Sequence, residues 1–149
     1  MVALADDSAA HAEGTPSLRI SLPRDPRAPA RARAAVTRFT ESGGGIAGLA
    51  LETLALLVSE VVSNAVLHSD APPASEILLC ARLPERGTVR VEVIDCGSGF
   101  TAAPRDPSRV TGGYGLFLVA QQASRWGVDR EGGTRVWFEI GAAPGASYE

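Results

Sequence analysis

Residues 60–68 read Glu60-Val61-Val62-Ser63-Asn64-Ala65-Val66-Leu67-His68. In an α-helix of 3.6 residues per turn, positions 60, 64 and 68 fall on one side, about 6 Å apart along the axis. The residues expected on the buried side repeat at the i, i+3, i+4 spacing, and they are Leu54, Leu57, Val58, Val61 and Ala65. The stretch therefore predicts a helix from about Leu51 to His68 that lies deep in the fold and carries an acid, an amide and an imidazole on one stripe.

This polar stripe has two interpretations. Polar side chains removed from water cost free energy unless they are hydrogen-bonded, so Glu60, Asn64 and His68 would line a cavity that holds a polar ligand. Alternatively, the three side chains form the solvated side of an ordinary amphipathic helix. The helix by itself does not distinguish the two.

A second informative segment is an alternating, β-branched stretch that ends in an acid and two glycines. Residues 89–95 predict a strand, and Asp95-Cys96-Gly97-Ser98-Gly99-Phe100 follows it as a turn. The carboxylate of Asp95 can accept hydrogen bonds from an amino group, and glycines let a ligand approach the backbone closely. A plain β-turn after a strand uses the same residue types.

A third segment, Gly112-Gly113-Tyr114-Gly115, runs directly into an apolar helix that we expect to reach Arg125. The first amides of a helix have no internal acceptors and carry the positive end of the helix dipole, so this start favours phosphate oxygens. The residues expected to pack are Leu116, Val119, Ala120 and Ala123. A glycine-rich helix start without a ligand is the alternative.

Together, in this order, the three segments resemble the GHKL superfamily, which has the Bergerat ATP-binding fold of gyrase, histidine kinases and MutL. Within it, the sequence is most similar to the small bacterial anti-sigma-factor serine kinases and their actinobacterial relatives. The resemblance spans roughly residues 18–140. It implies an α+β fold, a two-layer α/β sandwich in which three helices cover one face of a mixed, mostly antiparallel sheet.

Carried over position by position, the resemblance also implies roles for individual residues. Asn64 would coordinate Mg²⁺, and Glu60 would act as a general base toward a serine hydroxyl. Asp95 would accept a hydrogen bond from the adenine amino group of ATP, with Gly97 and Gly99 shaping the purine pocket.

Further roles fall on the glycine-rich helix start and on the last predicted strand. Gly113 and Gly115 would give a lid its hinge and admit the triphosphate to the helix N-terminus, where Leu116 would complete the nucleotide site. Thr134 matches the threonine that the family places beside the adenine-binding aspartate. His68 has no equally clear role, since it would either meet a phosphate or be structural.

The lid is the segment from Phe100 to Thr111, and it is short. We expect it to rearrange only modestly when nucleotide binds. Relatives often carry a basic residue in the lid, and in this chain the basic residues of the lid are Arg105 and Arg109. Each would either touch the γ-phosphate or remain solvated.

Along the chain, residues 1–16 and 141–149 predict flexible tails around a single ATP-binding domain at 17–140. Strands are expected at 18–22, 76–82, 88–95, 126–130 and 134–140, with the second and third joined as a hairpin. The first helix is predicted over 26–40, and its recurring positions are Ala28, Arg31, Ala35 and Phe39. The expected total is three helices and about five strands.

Composition restricts the function further. All fourteen basic residues are arginine, which excludes a Walker-type phosphate lysine and a Schiff-base mechanism. The net charge of −3 offers no overall attraction for nucleic acid, and we expect no direct nucleic-acid binding.

No apolar run approaches the roughly 20 residues that span a bilayer, and the N-terminus lacks a signal peptide, so we expect a cytoplasmic protein. Cys80 and Cys96 are expected to be reduced thiols.

Arginines cluster around the start of the first helix, at Arg24, Arg27, Arg31, Arg33 and Arg38. They form either a solvated helix face or a docking patch for an acidic protein. In the family that the sequence resembles, the protein partners are a sigma factor and an anti-sigma antagonist that carries the target serine. The resemblance leaves a homodimer open.

Two classes of function follow from these observations. The first is a protein serine/threonine kinase that uses ATP and Mg²⁺ to phosphorylate an antagonist partner and so controls transcription. The alternative is a nucleotide-dependent module that sequesters a partner and transfers nothing. A histidine kinase catalytic domain is less favoured, because no phosphoacceptor helix pair precedes the ATP-binding segment in this sequence.

Overall fold

The computed structural model describes residues 16–43, 46, 48–68, 71–85, 87–96, 114–130 and 132–141. Within these ranges the chain forms five strands and three helices, which confirms the expected content. In chain order they are β1 (Ser17–Pro23), α1 (Ala28–Gly43), α2 (Leu49–His68), β2 (Glu76–Glu85), β3 (Thr88–Asp95), α3 (Tyr114–Gln122), β4 (Arg125–Asp129) and β5 (Thr134–Gly141).

The strands form one sheet in the order β1-β2-β3-β5-β4, and every pairing among the described strands is antiparallel. Strands β2 and β3 make the predicted hairpin, in which Glu85 pairs with Thr88 and the register shifts between Arg82 and Glu85. Gly87 in the connecting turn has a φ of 81°, a conformation that glycine adopts without steric cost. The predicted α+β sandwich is therefore confirmed.

One face of the sheet is apolar and is covered by the helices. The pairing register aligns one residue from each strand in a row across this face, namely Ile20, Leu79, Val93, Val136 and Val128. These side chains join a single hydrophobic core with residues from all three helices. Because side chains alternate along a strand, the residues between them point to the opposite face.

That opposite face carries a network of ion pairs that the sequence did not predict. Arg90 bonds to Glu92 at 2.8 Å and to Glu139 at 3.1 Å, and Arg135 bonds to Glu92 at 2.9 Å. The Arg90 guanidinium also lies 4.0 Å from the ring centre of Trp137. The two glutamates are mostly buried, so these paired arginines compensate the cost of removing them from water.

Helix α1 differs from its prediction in both its start and its buried face. It begins at Ala28, since a turn precedes it in which the Ala28 amide donates to the Asp25 carbonyl at 3.0 Å. The expectation that Arg31 belongs to the buried face is wrong, because Arg31 is exposed. Ala28 is buried as expected, and the other buried residues each lie one position beyond a predicted one: Ala32, Val36 and Thr40. The Thr40 hydroxyl donates to the Val36 carbonyl at 2.8 Å, which explains how a polar residue is accommodated there.

Helix α2 confirms the prediction made from residues 60–68. It ends at His68 as expected and begins two residues earlier than predicted, at Leu49. Each residue assigned to its buried side has no exposed surface: Leu54, Leu57, Val58, Val61 and Ala65.

By length and composition alone, α2 also passes as a membrane-spanning helix. Ala50–Leu67 covers 18 residues with a mean hydropathy of 1.6, and the expectation that no segment approaches spanning length is wrong here. In the fold this helix contacts the sheet and both other helices, and 39% of that window is buried. We attribute its apolar character to these contacts.

Helix α3 is shorter than predicted, since it ends at Gln122 rather than near Arg125. The Ser124 amide donates to the Glu139 carbonyl of β5 at 2.8 Å, which redirects the chain into β4.

The predicted lid and residues 1–15 and 142–149 lie outside the described residues. Gly141 closes β5 opposite Thr88.

The core yields a stability prediction. Phe138 has no exposed surface and is the largest fully buried side chain among the described residues. Phe138→Ala should lower the free energy of unfolding by about 3–5 kcal/mol, because the cavity collapses only partly. The matched control is Phe117→Ala, since Phe117 is 39% exposed and should lose roughly 1 kcal/mol. Urea unfolding of both variants checks this, and equal losses would contradict it.

Candidate functional site

Helix α2 presents two of the predicted site residues beside the core. Asn64 is 8% exposed and Glu60 is half-buried. Their neighbours Val61 and Ala65 have no exposed surface, so the polar stripe lies at the border of the apolar interior. His68 is the last residue of the helix, and its side chain lies outside the described residues.

The end of β3 and the start of β5 bring the next two residues together. Asp95 ends β3, Thr134 begins β5, and the two are direct partners in the antiparallel register. Asp95 has no exposed surface and Thr134 is 1% exposed. The adjacency that the family resemblance implied for these two residues is therefore present. A buried carboxylate and a buried hydroxyl in neighbouring strands can each hydrogen-bond to a polar ligand.

A residue that sequence reasoning did not assign to the site lies at its centre. Arg24 donates from Nη2 to Asp95 Oδ1 at 2.5 Å and to Ser75 Oγ at 3.0 Å. Its Nη1 donates to the Ala65 carbonyl at 2.6 Å. One guanidinium thus connects helix α2, the segment before β2 and the end of β3.

Arg24 therefore does not belong to the solvated arginine face in which the sequence analysis grouped it. Its side chain is only 6% exposed, whereas Arg27, Arg31, Arg33 and Arg38 are exposed. Two local features direct it inward. The Asp25 amide donates to the Pro23 carbonyl at 2.9 Å, and the Asp25 carboxylate accepts from the Arg27 amide at 2.8 Å. These turns after β1 reverse the chain, and no periodicity in the sequence indicates which arginine points into the fold.

Ser75 is a second residue that the sequence analysis missed. Its hydroxyl donates to the Pro72 carbonyl at 2.6 Å, so an oxygen lone pair remains for the Arg24 guanidinium. Its backbone amide donates to the same carbonyl at 2.9 Å. The Pro72-to-Ser75 turn thereby fixes the serine against Arg24.

The remaining predicted site residues, four glycines and a leucine, fall in parts of the chain that the structure describes only partly. Gly97, Gly99 and Gly113 lie outside the described residues. Gly115 and Leu116 lie in the first turn of α3, and their side-chain environments are outside the description. Their assigned roles stay predictions.

The residues present fit a magnesium ion held through nucleotide. Mg²⁺ prefers oxygen ligands, keeps several waters and is commonly held by one or two protein groups plus substrate phosphates. Asn64 supplies an amide oxygen that is nearly buried at the polar edge of α2. When bound, the ion would neutralise phosphate charge.

Gly133 allows the close approach of β5 to Asp95, which gives a second prediction. Its φ is 140°, and a Cβ at this position would lie 2.6 Å from the Asp95 carbonyl oxygen and 3.2 Å from Cys96 Cα. Gly133→Ala should therefore cost stability and displace Asp95 relative to Thr134. Gly48→Ala is the control, because Gly48 has a φ of 64° but nothing within 4 Å of the added Cβ.

Both alanine variants should lose about 1–2 kcal/mol from the unfavourable backbone conformation. Only Gly133→Ala should lose more than this and weaken ligand binding beside Asp95. Thermal unfolding and calorimetric titration of adenine nucleotide check the two effects. Equal behaviour of the two variants would contradict the close packing.

Comparison with known proteins agrees with this geometry. The model of the histidine kinase-like ATPase domain family matches residues 22–140. Among solved structures, the chain is similar to the RsbU and RsbW domains of Rv1364c from Mycobacterium tuberculosis, with 26% identity and a TM-score of 0.66. The similarity covers 85% of this chain but only 32% of that one. No curated protein matches the sequence.

The family match covers both halves of the site. It includes the helix with Glu60 and Asn64 and the paired strand ends with Asp95 and Thr134. It confirms the resemblance to GHKL proteins that the three sequence segments indicated, and an ATPase domain implies ATP binding. The chain belongs to the histidine kinase-like ATPase domain family.

Proposed function

We propose that this protein is an anti-sigma-factor-like serine/threonine kinase that binds Mg-ATP, phosphorylates an antagonist partner and thereby controls transcription. The observation that carries the proposal is the buried pairing of Asp95 with Thr134, next to the helix that presents Glu60 and Asn64. The proposal includes a cytoplasmic location, where ATP and the transcription machinery are found.

At the base end of the site, Asp95 would accept a hydrogen bond from the adenine amino group. A carboxylate is an acceptor only, and an exocyclic amino group is the donor that it requires. Thr134 lies directly opposite Asp95 in the sheet, and its hydroxyl would also hydrogen-bond to the adenine base. Burial favours this interaction, because charge-assisted hydrogen bonds are stronger in a low-dielectric environment.

At the phosphate end, Asn64 and Glu60 would act four residues apart on α2. Asn64 would hold the metal that accompanies the triphosphate. Glu60, one helical turn earlier, would accept the proton of a serine hydroxyl. The serine oxygen would bond to the γ-phosphorus while the bond between that phosphorus and ADP breaks. Phosphoryl transfer depends mainly on positioning and charge neutralisation, which these residue types can supply.

The identity of the partner rests on similarity. The sequence resembles anti-sigma-factor kinases, and a solved chain with similar structure contains an RsbW domain. On this chain, Arg27 directly before α1 and Arg31 and Arg38 on α1 are exposed and offer a positive surface to an acidic protein. A sigma factor, an anti-sigma antagonist or both are therefore the partners that we propose.

The test combines partner isolation with transfer of labelled phosphate. The full chain, purified from its native host with its partners, is incubated with Mg²⁺ and ATP labelled at the γ-phosphate. We expect label on a serine or threonine of a co-purified protein. ATP binding without labelling of any partner would favour the sequestering module, and absence of ATP binding would overturn the proposal.

A further inference from the structure

We propose that Arg24 occupies the base-recognition acceptor of Asp95 and must release it when adenine binds. Arg24 would therefore be a residue that determines nucleotide affinity and specificity. This inference rests on the proposed function, since it takes Asp95 as the acceptor of the adenine amino group.

The first support is the contact itself. Nη2 of Arg24 lies 2.5 Å from Asp95 Oδ1, and the exposed fractions of the two side chains are 6% and 0%. No surface of the carboxylate is open to solvent. An adenine amino group can reach Asp95 only after a covering group moves, and Arg24 is a described side chain that bonds to it.

The second support is that Arg24 is held by acceptors other than Asp95. The guanidinium also donates to Ser75 Oγ and to the Ala65 carbonyl, at 3.0 and 2.6 Å. When a base takes the place of Nη2 at Asp95, the arginine can keep these two bonds. The exchange therefore does not require a buried cation to lose all of its partners, which would be far more costly.

The third support is that not every hydrogen-bond donor of Arg24 is satisfied. Arg24 Nε is buried and has no hydrogen-bond partner among the described residues. A buried donor without a partner costs free energy. The present position of the guanidinium is therefore a compromise, and a shift of Arg24 on base binding can relieve that cost.

The exchange is selective for a base that carries an amino donor. Adenine offers the amino group that replaces the arginine donor, whereas purine without that group offers nothing to Asp95. An amino-free base that displaced Arg24 would remove one charged donor from a buried carboxylate and replace it with none. Removing Arg24 should thus favour ATP more than its amino-free analogue.

The experiment is a cycle of two proteins and two nucleotides. Dissociation constants of ATP and of purine riboside triphosphate, which lacks the 6-amino group, are measured with Mg²⁺ for the wild-type chain and for Arg24→Gln. We expect the preference for ATP over the analogue to increase about tenfold, or ~1.4 kcal/mol, in Arg24→Gln. Arg19→Gln is the matched control, because Arg19 is an exposed arginine of β1 and should leave the preference unchanged.

Ser75→Ala provides a second variant that keeps the buried charge. It removes one of the two acceptors that Arg24 keeps after it leaves Asp95, so release of Asp95 becomes more costly and the preference for ATP should fall, by a smaller factor than the rise in Arg24→Gln. This variant decides the question if Arg24→Gln does not fold.

The outcomes separate this inference from the proposed function. If ATP binds but its preference over the analogue does not rise in Arg24→Gln, or does not fall in Ser75→Ala, Arg24 does not compete for Asp95 and the inference is overturned alone. If neither nucleotide binds the wild-type chain, the proposed function is overturned together with the inference. A higher preference in Arg24→Gln and a lower one in Ser75→Ala, with Arg19→Gln unchanged, support it.

Discussion

Asn64→Ala is expected to abolish Mg-ATP binding, with an affinity loss of at least roughly a hundredfold, or about 2.7 kcal/mol. The amide oxygen of Asn64 is the protein ligand that we propose for Mg²⁺, and a triphosphate without its metal brings uncompensated charge to the edge of an apolar core. Calorimetric titration of Mg-ATP measures the effect. Ser63→Ala is the control, since Ser63 is the half-buried neighbour on the same helix.

The same substitution should leave the fold intact, and this separates a functional role from a structural one. Alanine has a higher helix propensity than asparagine, and Asn64 lies inside α2, between Ser63 and Ala65. We therefore expect the free energy of unfolding without nucleotide to stay the same or to rise. Mg-ATP binding of Asn64→Ala within about twofold of wild type would contradict the assigned metal ligand.

Glu60→Gln is expected to retain ATP binding and to lose phosphoryl transfer by a factor of about 10²–10⁴. The substitution keeps the size of the side chain but removes the carboxylate that accepts the hydroxyl proton. Glu60 is half-buried beside Asn64, and its neighbour Val61 has no exposed surface, so the change should not disturb packing. Transfer of labelled phosphate to co-purified partners, together with an ATP titration, measures both properties.

Glu52→Gln is the matched control for this experiment. Glu52 is an exposed acid in the first turn of the same helix, and its substitution should change neither binding nor transfer. If Glu60→Gln transfers phosphate as well as the wild-type chain, Glu60 is not the base. If both variants and the wild type bind ATP but transfer nothing, the protein is a nucleotide-dependent binding module.

Periodic segments were predicted well because their signal is local. The apolar spacing in α2 identified all five of its assigned buried residues, and alternation in β3 gave its bounds at Thr88 and Asp95. The same reasoning was right only in part in α1, where small residues lie next to arginines: Ala28 is buried and Phe39 packs against the core, but Arg31 is exposed. There the buried face was assigned to Arg31, one position before Ala32. Alanine carries too little hydrophobic contrast to determine the face of a helix by itself.

The candidate site was predicted in part for a related reason. Glu60, Asn64, Asp95 and Thr134 stand in segments that resemble a known family, and the fold brings Asp95 and Thr134 into direct register. Nothing in the sequence distinguished Arg24 from the exposed arginines that follow it. Its burial depends on the turns before α1 and on acceptors from three separate parts of the chain.

The amino-acid sequence alone determined the order of helices and strands and the deep position of α2, since each of these depends on neighbours within a few positions. Only the tertiary structure decided which polar groups meet. The three acceptors of Arg24 lie 41, 51 and 71 residues further along the chain. Contacts over such separations are set by strand register and packing of the whole core, and no local pattern encodes them.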